Sequence, residues 1–315
     1  MTVRRTSVRS RSLTGAALAM TVAALVTACG SGGGGGGDAA AGSSSSAAAG
    51  PAVKADPKLT AMLPQEIQDK KSMSIGTEAL YPPYEYLDKD GSTIIGLDPD
   101  LVDAVSARLG VDFTLTNTAF DGLLPALSGN RFDVVAAAVT DTKARQQNYD
   151  FVDYFKAGQA IVVAAGNPEK ITGVTDLCGK PVSVLVSSAQ EALLNKFNTA
   201  ECASNPIKVT SLPTDQDALI QVQSGRAMAT FTQEPVGRYN AAQIAGGKAF
   251  EVANKETLFA NPLGFVFDKA DTQLRDAWQA AVQSLIDDGT YSSILKSHEL
   301  TSGAVDKATT NAGTQ

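Results

Sequence analysis

Asp133–Arg145 reads DVVAAAVTDTKAR, and its pattern decides the fold. A continuous apolar run ending in small polar residues marks an interior parallel strand, buried on both faces. Thr142 is placed to cap a following helix, which puts Arg145 in that helix's first turn. Hydroxyls, free N–H groups and a guanidinium fork then meet at the carboxyl end of a strand, where open α/β sheets take their ligands. The ligand group that fits this set is a carboxylate.

The flanking sequence extends the same architecture. Ile75–Glu85 (IGTEALYPPYE) is a short strand running into a Tyr-Pro-Pro-Tyr loop, whose prolines hold it rigid so that a tyrosine ring can serve as a wall. Gly96–Gly110 (GLDPDLVDAVSARLG) is a helix, with Asp98 as its cap, Pro99 at the first helical position and Gly110 at its end. Ala119–Leu127 (AFDGLLPAL) is a second loop leading into a second helix, with an aromatic at its mouth. Downstream, strands are expected at Ala160–Ala165, Pro181–Val186, Ala227–Thr232 and Gly264–Phe267. Helices are expected at Ala189–Asn198, Thr214–Gln223, from Pro235 through Ile244, and at Thr272–Asp287. Alternating strands and helices mean a parallel α/β fold, and roughly 230 folded residues divide more naturally into two lobes than one.

The ordered set YPPYEYLDKDG, GLDPDL, AFDGLLPAL, FDVVAAAVTDTKAR and YDFVDYF resembles the family 3 extracellular solute-binding proteins of polar amino-acid ABC importers, over Lys71 to Leu300. The resemblance implies a type II periplasmic-binding-protein fold: two α/β lobes, each a mainly parallel sheet flanked by helices, joined by a two-stranded hinge. The crossings are expected near Val163–Gly166 and Asn261–Gly264. Residues 59–163 plus 264–300 would then form lobe 1, and 164–263 lobe 2. Residues 301–315 are small and polar and are expected to be a disordered tail.

Residues 1–28 carry Arg4, Arg5, Arg9 and Arg11 and then an apolar run too short to span a bilayer, the shape of an export signal. They end Leu25-Val26-Thr27-Ala28-Cys29, which resembles a lipobox and makes Cys29 the expected site of lipidation. Residues 29–58 are read as the lipidated cysteine and a flexible tether, because Gly30–Ala52 is almost wholly Gly, Ser and Ala. The protein is thus expected outside the cytoplasm, lipid-anchored to the cell membrane. The formal charge is −7, and removing four signal arginines without any acid makes it −11. Such a chain is not suited to nucleic acid. Cys178 and Cys202 remain, and in an oxidising space a disulfide is expected, with free thiols the alternative. The single histidine, His298, has no ligand-spaced partner, so neither a metal site nor a cofactor is expected.

Carried over by the same resemblance, Tyr81 and Phe120 would sandwich the ligand, and Thr140 and Arg145 would hold its α-carboxylate. Ser188, at a helix start in the second lobe, would close on that carboxylate. Glu78 falls where relatives with basic ligands carry an acid facing the ligand side chain. Gln233 stands where the family usually has the aspartate that pairs with the ligand's ammonium. Three readings follow: Glu234 supplies the charge, Gln233 suffices with other acceptors, or the ligand lacks an α-ammonium. The implied function is the substrate-binding component of an ABC importer, monomeric, not an enzyme, passing an amino acid or related small solute to permease subunits. The alternatives are a ligand-sensing lipoprotein and a dehydratase on the same fold.

Overall fold

The structure, a computed structural model, describes residues 53–315. The signal segment, Cys29 and the tether to residue 52 lie outside the described residues. The last part of the expected tether, 53–58, is not free chain. Asp56 donates its N–H to the Arg108 carbonyl (2.9 Å) and caps the short helix Pro57–Thr60 with its side chain.

Ten strands form one continuous sheet whose two halves are the two lobes. In the first half, Ser72–Thr77 lies parallel to both Asp112–Asn117 and Val134–Val135. In the second, Pro181–Leu185 lies parallel to Lys208–Leu212 and Ala229–Gln233. Two long antiparallel strands, Tyr149–Ala164 and Leu258–Asp268, run through the middle. The first pairs with the second as far as Gln159, then with Ala229–Gln233 and Phe250–Val252. The change of partners falls at Ala157–Gln159, where Gly158 packs so closely that a Cβ would meet Thr257 Cγ2 at 2.1 Å. That is earlier than the expected Val163–Gly166, since those residues are already paired inside the second lobe. On the return strand the register shifts between Leu258 and Asn261.

Each lobe has its own core. In lobe 1 the helix Thr272–Asp287 presents Leu274, Trp278, Ala281, Val282 and Leu285, all buried, the face that the sequence stripe marked. Trp278 meets Phe265 and Phe267 edge-on, at 5.4 and 5.8 Å between ring centres. Helix Leu97–Leu109 ends at Gly110 in the left-handed conformation, but Asp98 does not cap it. The Asp98 side chain turns inward, accepting from the Ala138 N–H (2.9 Å) and the Tyr154 hydroxyl (2.5 Å). In lobe 2, Val182, Val184, Leu194, Phe197, Phe231 and the buried Cys202 pack together.

Residues 301–315, expected to be disordered, are ordered. After the turn Thr301–Gly303, Ala308 is buried and Thr309–Thr310 pairs as a strand with Val152 and Asp153. The Asn311 side chain continues the pairing, accepting from Phe151 N–H and donating to Asp150. The segment is held by hydrogen bonds rather than an apolar stripe, so a small and polar composition does not forecast it.

Cys178 and Cys202 are bridged, across 24 positions. Changing both to serine is expected to lower the stability of lobe 2 by about 3 kcal/mol, the chain-entropy value for a loop of this size. Calorimetric unfolding checks this, and an unchanged transition would mean the bridge contributes nothing.

Candidate functional site

Tyr81, Phe120, Thr140, Arg145, Ser188 and Gln233 line one small cavity between the lobes, together with Ala138, Leu185, Ala189 and Gln190. The space open to the centre of a water molecule is about 10 Å³, enough for a single water. The cleft is therefore closed, and four hydrogen bonds cross it. Tyr81 Oη shares a bond with Thr232 Oγ1 (3.1 Å) and accepts from the Gln233 N–H (3.3 Å). Gln233 Nε2 donates to the Ala138 carbonyl (2.8 Å). Arg145 Nη2 donates to the Ser187 carbonyl across the gap (2.9 Å).

Local backbone geometry explains these placements. The expected interior strand is only Val134–Val135; beyond it the chain leaves the sheet, and Ala138 takes a positive φ of 43°. Its N–H is held by Asp98 and its carbonyl meets Gln233. Thr140 is a buried single bridge to Leu263. Instead of a full helix, one 3₁₀ turn follows, Arg145–Gln147, with Thr142 Oγ1 accepting the Arg145 N–H (3.3 Å). Opposite, Ser187 has a φ of 59°, and Glu191 accepts its N–H (2.7 Å). Ser188 caps helix Ala189–Thr199 by accepting the Glu191 N–H. Positive φ at two non-glycine residues, one on each side of the cleft, is the kind of strain found at functional sites.

Arg145 donates Nη1 to the Thr140 carbonyl (2.8 Å) and sits 5.8 Å above the Phe120 ring. Burial brings its guanidinium down to about 10, opposed by the Asp141 carboxylate, so it stays charged at neutral pH. Among the described residues it has no ion-pair partner. A charged fork satisfied only by carbonyls exchanges readily for a carboxylate, whose charge-assisted bonds are stronger.

Glu78 does not line the cavity. It is 2% exposed, and its Oε1 has no hydrogen-bond partner among the described residues. Burial, and then the charge of Asp215, push its carboxyl up to about 8. Asp215 is the first residue of a helix of the other lobe, Asp215–Gln223, which packs against the Leu80–Tyr81 strand. It is 1% exposed, and burial raises it to about 6. Two acids thus approach from opposite lobes beside Tyr81. The sequence reading missed Asp215, where an acid after the Thr214 cap looks like an ordinary helix start.

Glu234 is not the missing charge at Gln233. Its Oε1 is bound by Arg238 (2.7 Å) and its Oε2 accepts from the Thr257 hydroxyl (2.9 Å). It faces a larger groove of about 710 Å³ alongside Tyr86, Arg238, Tyr239 and His298. In that groove Glu234 pairs with Arg238, and His298 Nε2 lies 2.7 Å from Asp100 Oδ2. Gln233 itself keeps a buried Oε1 without a partner among the described residues.

The family model for bacterial extracellular solute-binding proteins, family 3, matches residues 73–300. The arginine-binding protein ArgT of Corynebacterium glutamicum is 30% identical over 81% of this chain and 83% of its own. The L-cystine-binding protein TcyA of Bacillus subtilis is 30% identical over 73% and 82%. Among solved structures, an ancestral arginine-binding protein bound to arginine superposes with a TM-score of 0.67 at 32% identity, over 72% of this chain and 97% of that one. The chain belongs to family 3 of the bacterial extracellular solute-binding proteins, the substrate-binding components of amino-acid ABC importers.

Proposed function

We propose that this protein captures an amino acid with a cationic side chain by closure of its two lobes and presents it to an ABC permease. The observation that carries this reading is the Glu78–Asp215 pair: two buried acids from opposite lobes, neither ion-paired among the described residues. Closure without a cation leaves like charges together in a low dielectric, which pushes protons onto them. A guanidinium or ammonium between them removes that cost. The name of the arginine-binding relative supports the same class, while the cystine-binding relative shows that overall similarity alone does not choose a ligand.

In this reading Arg145 and Thr140 hold the α-carboxylate, helped by the N-terminus of the Ser188-capped helix. Tyr81 and Phe120 form the walls. The free Gln233 Oε1 accepts from the ammonium. Cys29 carries a lipid anchor and the protein works as a monomer. The substrate leaves unchanged: Ser188 Oγ is occupied as a helix cap, and no histidine lines the cavity. Glu78 held protonated is also what a dehydratase would use as its acid, so recovery of intact ligand after long incubation separates the two.

L-Arginine is expected to bind with micromolar or tighter affinity in calorimetry, and Arg145→Ala to weaken it at least tenfold. Unchanged affinity would remove Arg145 from the site. The pH dependence has a fixed sign. Burial and the Asp215 charge push Glu78 up to about 8, and a bound cation lowers that value, so binding expels a proton. Affinity should therefore rise from pH 6 to 8, by at most about tenfold per unit for one proton, and then flatten. Glu78→Gln should abolish the slope. A raised carboxyl favours the folded state below its ordinary value and loses that contribution as pH climbs through about 8. Glu78→Gln should accordingly raise Tm at pH 9 and change it little at pH 4, while weakening arginine. A lowered Tm at pH 9 would mean that Glu78 is paired in solution.

A further inference from the structure

We propose that Thr309–Gln315 is a brace that sets the position of the Thr140–Arg145 ligand loop, making the C-terminal segment a working part of the binding site. The segment lays its backbone on two buried acids, Asp141 within that loop and Asp153 on the strand Tyr149–Ala164. Ala312 N–H donates to Asp153 Oδ2 (2.9 Å), and Gly313 N–H donates to Asp141 Oδ2 (2.6 Å). Asp141 is fully buried between Thr140 and the turn that carries Arg145. Its Oδ1 accepts from Gln146 Nε2 (2.8 Å), which also donates to the Gly313 carbonyl (3.1 Å). Lys143 N–H donates to the Gln315 carbonyl (2.7 Å). Both residues that flank Ala144–Arg145 are therefore tied to the segment.

The contacts continue onto the second crossing strand. Thr314 N–H donates to Asn261 Oδ1 (3.4 Å), and Asn261 Nδ2 donates to the Asp141 carbonyl. Gln315 Nε2 donates to the Phe259 carbonyl (2.8 Å), and Phe259 packs on Phe197 of lobe 2 at 5.3 Å between ring centres. None of these residues lines the cavity. They act through the loop, so they are positioning residues. The fit leaves no room for a side chain at Gly313, where a Cβ would lie 2.1 Å from the Asp141 carbonyl oxygen. Backbone cannot give way there as the end of a flexible side chain can.

This inference rests on the reading of Arg145 as the carboxylate holder, and the test separates the two. Gly313→Ala, in the full chain, pushes the segment off Asp141. In the ligand-free protein, hydrogen exchange at the amides of residues 141–147 should speed up while the Thr272–Asp287 helix keeps its protection. With L-arginine as probe, Gly313→Ala should raise Kd about tenfold, and should cost nothing further in an Arg145→Ala background, the non-additivity of residues that act as one unit. A merely structural role would weaken binding equally in both backgrounds. Unchanged exchange over 141–147, or fully additive losses, would overturn the brace. Faster exchange in a protein whose wild type does not take up arginine would support the brace and sink the cationic-ligand reading instead.

Discussion

Two strands belong to both lobes, and everything the cleft does depends on them. Tyr149–Ala164 and Leu258–Asp268 are hydrogen-bonded to each other where they serve lobe 1, and the first then joins lobe 2. A ladder cannot bend freely while its bonds are intact, so motion concentrates where pairing changes hands. That is the stretch around Gly158 and the register shift between Leu258 and Asn261. Gln159 sits at this junction, opposite both Leu258 and Gln233, and its side chain accepts from Gln190 beside the cavity (2.7 Å). The hinge and the ligand site are therefore adjacent parts of one hydrogen-bonded unit, and closure of the lobes reaches the pocket directly.

Closure also decides the charge state of the interior. Glu78, Asp215, Glu85 and Asp98 are all buried near Tyr81 and Tyr84. Burial holds Glu85 well above the ordinary carboxylate range, with Asp98 and Glu78 adding to the effect, while hydrogen bonds from Tyr154 and Ala138 restrain the rise of Asp98. Such clustering is unfavourable for folding alone, because buried acids lose hydration that a few hydrogen bonds replace only in part. Proteins retain that cost where a binding event relieves it, which is the ground on which Glu78 and Asp215 are proposed as ligand-charge sensors.

Much of this was legible in the sequence, for identifiable reasons. Helix Thr272–Asp287 was readable because an apolar stripe at helical spacing has few other meanings. Six residues of the cavity were readable because short motifs carry them in a fixed order. What escaped was held by other forces. Tyr149–Ala157 (YDFVDYFKA) hides its strand character, since Asp150 and Asp153 interrupt the apolar run although both are buried. Those acids are the partners of Asn311 and Ala312, so the missed lower half of the strand and the missed order of residues 301–315 are one omission. Buried polar pairing between segments about 160 residues apart leaves no local pattern. Asp215 escaped likewise, because only the closed fold brings it to Glu78.

Gln233 shows how a departure in one residue can be absorbed by its surroundings. A charged aspartate at that point would add a further buried negative group to a lobe interface where Glu78 and Asp215 are already buried. Gln233 instead ties the lobes together, its Nε2 donating to the Ala138 carbonyl while, among the described residues, nothing donates to its Oε1. A neutral acceptor gives an ammonium a weaker bond than a carboxylate would. It also spares the lobe interface one more buried anion, a penalty of several kcal/mol for an unpaired charge. With Glu78 and Asp215 supplying the attraction for a cation, as proposed, the balance favours glutamine. On the proposed reading, ligand charge is sensed beside Tyr81, by Glu78 and Asp215, rather than at the ammonium position.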